Sequence, residues 1–189
     1  TSSGTISYNE ISVVNLETGD HHPMVVGRNP HQVKFTDDSS LAIVVSNDRL
    51  ALIDLFAEVP TRSIVEIADD LLNPPRAEEV EVTPDGAYAF IRQYGQPEIV
   101  LVDLATSEWV DSLPVQSNPT DLDITPDGNQ AVIVDRDAQK LFIYPTLNPE
   151  GSHAEVIDLP ETELLGSVTF APDSQKAVLF TTAANISHY

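Results

Sequence analysis

The sequence predicts an all-β protein made of repeated four-stranded antiparallel units, and three observations carry that expectation. First, one turn recurs in near-copies: Thr36-Asp37-Asp38-Ser39, Thr83-Pro84-Asp85-Gly86, Thr125-Pro126-Asp127-Gly128 and Ala171-Pro172-Asp173-Ser174, spaced by 47, 42 and 46 residues. Second, an alanine stands six residues after each first position: Ala42, Ala89, Ala131 and Ala177. Third, helical periodicity is nearly absent; only Val65 to Leu72 resembles it, and Asn73-Pro74-Pro75 ends that stretch. Self-similarity at a fixed period signals a repeat fold. Four short strands per unit of roughly 40–47 residues match a β-propeller blade.

Each element follows from local chemistry. Residues 1–8 are small and polar and read as a loop or weak strand. Glu10–Leu16 and His22–Val26 flank a Glu-Thr-Gly-Asp turn and read as a hairpin. The first full repeat predicts strands at Gln32–Phe35, Leu41–Ser46, Leu50–Leu55 and Arg62–Ile67. The second predicts Glu78–Val82, Tyr88–Arg92, Ile99–Leu104 and Trp109–Val115, and the third Asp121–Ile124, Ala131–Val134, Lys140–Tyr144 and Ala154–Leu159. A last half-unit gives Ser167–Phe170 and Lys176–Thr181. In the repeated turn Pro presets φ, Asp hydrogen-bonds nearby backbone and Gly permits φ > 0. The small alanine suits a place where neighbouring sheets approach closely. Asp54 and Asp103, ending the third strands, are expected to cap the next turn. The resulting organisation is one domain: half blade 1–29, blades 30–72, 73–117 and 118–160, and half blade 161–189.

Thirty acids against nine bases give a formal charge of -21 over 189 residues. Such a surface repels phosphate backbones and anionic lipid, so neither nucleic acid nor membrane insertion is expected. No apolar run reaches the roughly 18–20 residues of a membrane-spanning helix. With no cysteine there is no disulfide framework and no thiolate metal site, which fits an extracytoplasmic setting.

The run Val26-Gly27-Arg28-Asn29-Pro30-His31-Gln32-Val33-Lys34-Phe35-Thr36 resembles the junction between blades of the YVTN family of propeller repeats, found in bacteria and archaea. Val115-Gln116-Ser117-Asn118-Pro119-Thr120-Asp121 through Gly128 is similar to the same junction, and Ile99–Thr106 to the third strand of that repeat. Asp37, Ser39 and Ser174 depart from the family's turn. The resemblance implies a larger ring of about seven blades. It also implies a range of functions: surface-layer proteins, periplasmic binding proteins and lactonase-like enzymes. Two closures compete: the terminal halves pair into a fourth blade, or further blades come from the rest of a longer chain or from a second chain.

Candidate site residues follow from propeller geometry, in which inter-blade segments and second-to-third-strand loops share one face. From them His31, Arg76 and Asn118 are the channel candidates, and Asp135, Arg136 and Asp137 the loop candidates for a cation or cationic partner. Asn29, Asn47, Asp48, Arg49, Asn73, Tyr94 and Thr120 belong to the same face. His21-His22 invites a metal reading, but adjacent strand residues point to opposite faces. His31, His153 and His188 show no ligand spacing. Thr1 as a terminal nucleophile and the Asn185-Ile186-Ser187 sequon are weak signals. No nucleophile elbow, phosphate loop or dinucleotide fingerprint occurs. The expectation is therefore a non-catalytic module that binds a protein partner or small ligand, without a cofactor. The alternatives are a lactonase-like hydrolase or lyase with its site in the channel, and a redox-partner propeller.

Overall fold

The computed structural model describes residues 9–68, 74–161 and 164–181, and contains sixteen strands among them. Thr1, Asn73, the Asn185–Ser187 triplet and His188 lie outside the described residues. A hairpin comes first, of β1 (Glu10–Val14) and β2 (His21–Val25). Three four-stranded antiparallel blades follow. The first holds β3 (Gln32–Phe35), β4 (Leu41–Val45), β5 (Arg49–Asp54) and β6 (Thr61–Glu66). The second holds β7 (Ala77–Val82), β8 (Tyr88–Gln93), β9 (Glu98–Asp103) and β10 (Glu108–Pro114). The third holds β11 (Asp121–Ile124), β12 (Gln130–Asp135), β13 (Lys140–Pro145) and β14 (Glu155–Asp158). A final hairpin pairs β15 (Ser167–Phe170) with β16 (Ala177–Phe180). Strand order within each sheet is sequential, and the two terminal hairpins are separate sheets.

Four apolar layers fill the gaps between these sheets, and strand alternation assigns the core residues of the strands to them. On β4 and β5, Ala42, Val44, Ala51 and Ile53 face the N-terminal hairpin, where they meet Ile11, Val13 and Met24. Their neighbours Ile43, Val45, Leu50 and Leu52 face the second blade and pack on Val80, Ala89, Ile91, Val100 and Val102. The opposite face of the second blade (Phe90, Ile99, Leu101) meets Leu122, Ala131, Ile133, Phe142 and Tyr144. Val132, Val134 and Leu141 then meet Val168, Phe170 and Leu179 of the last hairpin. Continuous apolar runs such as Ile99–Val102 follow from this, because both faces of a blade are buried. Each fully buried Ile or Leu contributes roughly 1.5–3 kcal/mol. Ala42, Ala89 and Ala131 all face the preceding sheet, as their small size suggests, whereas Ala177 is exposed.

The repeated turn is one hydrogen-bonded device. The fourth-position amide donates to the first-position carbonyl in all four copies, at 2.7–2.9 Å. The Thr hydroxyl donates to the Asp carboxylate at 2.7 Å (Thr36–Asp38), 2.6 Å (Thr83–Asp85) and 2.7 Å (Thr125–Asp127). The same hydroxyl accepts from the amide five residues on. Ser39 and Ser174 take the positive φ of Gly86 and Gly128, at 61° and 59°. Successive turns also touch. A Cβ on Gly86 would lie 3.3 Å from Thr36 Cγ2, and one on Gly128 would collide with Pro84. The Asp127 amide donates to Ser174 Oγ at 2.9 Å.

Candidate functional site

The face opposite the turns is assembled from inter-blade segments and second-to-third-strand loops. Gly27 (φ 152°) brings the first junction against β4–β5, where a Cβ would lie 2.7 Å from both Ser46 and Arg49. The Arg28 amide then donates to Asp48 at 3.0 Å, and the Asn47 amide to the Arg28 carbonyl at 2.9 Å. Asn29 takes a positive φ of 53°, which asparagine tolerates, and its amide reaches Asn47 Oδ1 at 3.4 Å. His31 Nδ1 lies 3.1 Å from the Asn29 carbonyl. These contacts set His31 beside the start of the second blade.

There a cleft of about 370 Å³ opens, lined by Asn29, His31, Asn47, Arg76, Ala77, Glu78 and Arg92. Arg92 organises its floor. It bonds Glu78 at 2.6 Å, Glu79 at 3.0 Å and the Pro119 carbonyl at 3.1 Å, so one partly buried guanidinium ties β7, β8 and the next junction together. Arg76 pairs with Glu78 and lies over the Tyr94 ring at 6.0 Å, with its side chain 58% exposed. Burial opposes ionisation of Glu78, but Arg76 and Arg92 outweigh it and hold its carboxyl below the usual range. Glu79 moves the other way. Burial raises it to about 6 despite the same Arg92, with Asp121 and Glu81 adding repulsion.

Glu79 belongs to a row of carboxylates on successive first strands. Its carboxylate accepts the Leu122 amide of the next blade at 3.1 Å, and Asp121 accepts the Val168 amide of the one after at 2.7 Å. Glu81 pairs with Lys34 at 2.7 Å. Burial, the largest influence, raises Glu81, Asp121 and Asp123 as well. The row is thus blade-to-blade mortar. No group of three His, Asp or Glu side chains suited to a metal occurs among the described residues.

His31 and Arg76 therefore share one cleft, together with Asn29 and Asn47. Asn118 sits at the next junction, where its Oδ1 accepts the Gly95 amide at 2.9 Å. Asp135 is fully buried and accepts the Ser117 amide at 2.6 Å, the Ser117 hydroxyl and the Ala138 amide at 3.1 Å. It staples its junction as Asp48 staples the first, each accepting the amide that precedes the junction's Asn-Pro pair. Arg136 and Asp137 pair with each other at 3.3 Å on the third blade's loop. His21 and His22 fall on opposite faces of β2. The residues missed by motif reasoning are Glu78, Glu79 and Arg92. Their signal was a broken repeat: Arg92 stands where the other blades carry Val45 and Val134.

Among solved structures, the chain is similar to three propeller-containing proteins. Over 92% of its length it matches the β-propeller domain of Cps50 (Swd1) from Myceliophteria thermophila, with 12% identity and a TM-score of 0.66. Over 93% it matches the dihydro-heme d1 dehydrogenase NirN, with 15% identity and a TM-score of 0.71. Over 90% it matches the hydrazine synthase of Kuenenia stuttgartiensis, with 20% identity and a TM-score of 0.62. The chain spans 59%, 38% and 55% of those three proteins' own lengths. No family model matches the chain, and no curated protein matches it significantly in sequence. The fold is a partial β-propeller of four-stranded blades. At such identities the likeness concerns fold alone.

Proposed function

We propose that this chain is a non-catalytic binding module of YVTN-like type, working outside the cytoplasm, whose loop-face cleft takes a peptide segment or a similarly polar small ligand. The observation that carries this reading is the character of the cleft between the first and second blades. It presents donors (Arg76, Asn29) beside acceptors (Glu78, Asn47), all held by rigid strands and stapled junctions. A peptide offers the same mixture in return, and about 370 Å³ lies within the range of small-ligand sites. A phosphate ligand fits poorly with a net charge of -21, whereas a basic partner is steered inward by it. Of the three residues favoured for a channel enzyme, only His31 and Arg76 line the cleft.

The test is a titration with two blocked tripeptides, Gly-Lys-Gly and Gly-Glu-Gly, followed by NMR of the Asn29 and Asn47 side-chain amides. Saturable shifts are expected with both, stronger for the lysine peptide at low salt and lost in Arg76→Ala. Silence of those signals with either peptide, or shifts indifferent to Arg76→Ala, would overturn the reading.

A further inference from the structure

Three of the chain's nine bases line a single cleft, in a molecule where thirty acids compete for them. This cleft, of about 230 Å³, adjoins the first junction from the side of the N-terminal hairpin. It shares no residue with the cleft between the first and second blades. Arg28, Arg49 and Arg62 border it, with Val26 and Ile64 as apolar neighbours.

Strand pairing brings these side chains together. Arg62 and Ile64 of β6 stand opposite Ile53 and Ala51 of β5, which face the hairpin, so all four look the same way. Arg49 precedes Ala51 by two residues and shares that face. Arg28 comes from the other wall. Only a residue without a side chain at position 27 lets the backbone there lie against Arg49, since a Cβ would approach its Cγ to 2.7 Å.

The charges of this group are unevenly answered. Asp48 also lines the cleft, and both of its oxygens are taken: one accepts the Arg28 amide at 3.0 Å, the other receives Arg49 at 2.9 and 3.1 Å. That leaves the guanidinium groups of Arg28 and Arg62. Lys34, Arg49, Arg76, Arg92, Arg136 and Lys140 all form ion pairs. Arg28 and Arg62 form none among the described residues, although Glu66 stands opposite Arg49 on the same sheet. Residues 1–8, which precede the hairpin, contain no acid. Two unanswered guanidinium groups beside an apolar wall make a local positive site in a chain of net charge -21.

We propose that this cleft binds a small organic carboxylate, its anionic end held by Arg28 and Arg62 and its hydrocarbon body laid on Val26 and Ile64. Guanidinium groups match the paired oxygens of a carboxylate. The apolar wall rewards a hydrocarbon body, which inorganic phosphate lacks. The acidic surface penalises each further negative charge on a ligand, so a monocarboxylate is favoured over a phosphate dianion. The site is independent of the peptide reading above, because it uses other residues in another cleft.

The test follows the arginine Nε–H signals of Arg28 and Arg62 by NMR at low salt and near-neutral pH. The probes are 4-methylpentanoate, its neutral isostere 4-methylpentanamide, and inorganic phosphate. Saturable shifts are expected with the carboxylate, with binding roughly tenfold weaker for the amide and for phosphate. Arg28→Gln and Arg62→Gln are each expected to weaken carboxylate binding by about fivefold. Lys176→Gln removes the same charge far along the chain and is expected to change nothing. No saturable shift with the carboxylate overturns the proposal. So does an amide or a phosphate that binds equally well, or a Lys176→Gln variant that loses as much affinity as the arginine variants.

Discussion

Asp135 and Asp54 have the same side chain and opposite settings. Asp54 is exposed and accepts the Phe56 and Ala57 amides at 2.9 and 3.3 Å, the turn cap its position predicts. Asp135 is sealed from solvent and holds the Ser117 and Ala138 amides, so removing it strands buried donors. Asp135→Ala is expected to lower stability by about 3 kcal/mol and Asp54→Ala by about 1 kcal/mol, read from urea unfolding midpoints. Equal costs would show that the junction is not stapled there. The contrast also marks a limit of reading residues in line. Asp54 caps amides two and three residues on, a range the sequence displays directly. The principal partner of Asp135 lies eighteen residues away across a junction, so the carboxylate looked available when it was spent.

At the scale of the strand, the first strands combine two tasks. Val80, Leu122 and Val168 fill the apolar layers, while Glu79 and Asp121 reach across to the next blade's amides. The second task has a pH signature. Burial lifts Glu79 from 4.5 to about 6, so the folded chain holds a proton in that interval which the unfolded chain has released. Stability must then fall as pH rises through the window, by about 2 kcal/mol for this group. Glu81, Asp121 and Asp123 act with the same sign. Asp38 and Asp127 act oppositely and lower down, because their Thr partners hold them below 3.8 and that stabilisation is lost on further acidification. Unfolding midpoints are expected to peak near pH 5 and decline towards 7, with a shallower decline in Glu79→Gln. An unchanged slope in that variant would remove Glu79 from the account. The sixteen strands of the described residues were legible, with ends displaced by at most two residues, because periodic apolar runs and a repeated turn report directly on local pairing. The carboxylate row was not, since Glu79 and Asp121 read as the solvent-side half of an alternating pattern. Their partners are backbone amides on another blade, which no spacing within a strand reveals.

Across the whole molecule, charge works against compactness. The chain's nine bases are largely taken up in local pairs such as Lys34–Glu81 and Lys140–Asp158, leaving most of thirty acids to repel one another. Raising NaCl from 0.02 to 0.5 M, salt values chosen to shorten the Debye length from roughly 20 Å to about 4 Å, is expected to raise the melting temperature by several degrees in calorimetry. An equal or lower value would mean that the acids are already neutralised locally. The contact between successive turns has a geometric consequence on their face. The first three turns rest on one another through glycine hydrogens at Gly86 and Gly128, where a methyl would meet Thr36 and Pro84. Those contacts act as spacers between successive turns, so their thickness bears on the angle through which each blade is rotated from the last. A wedge one carbon wide at either glycine would push neighbouring blades apart on the turn face, so the pitch from blade to blade depends on atoms that bind nothing.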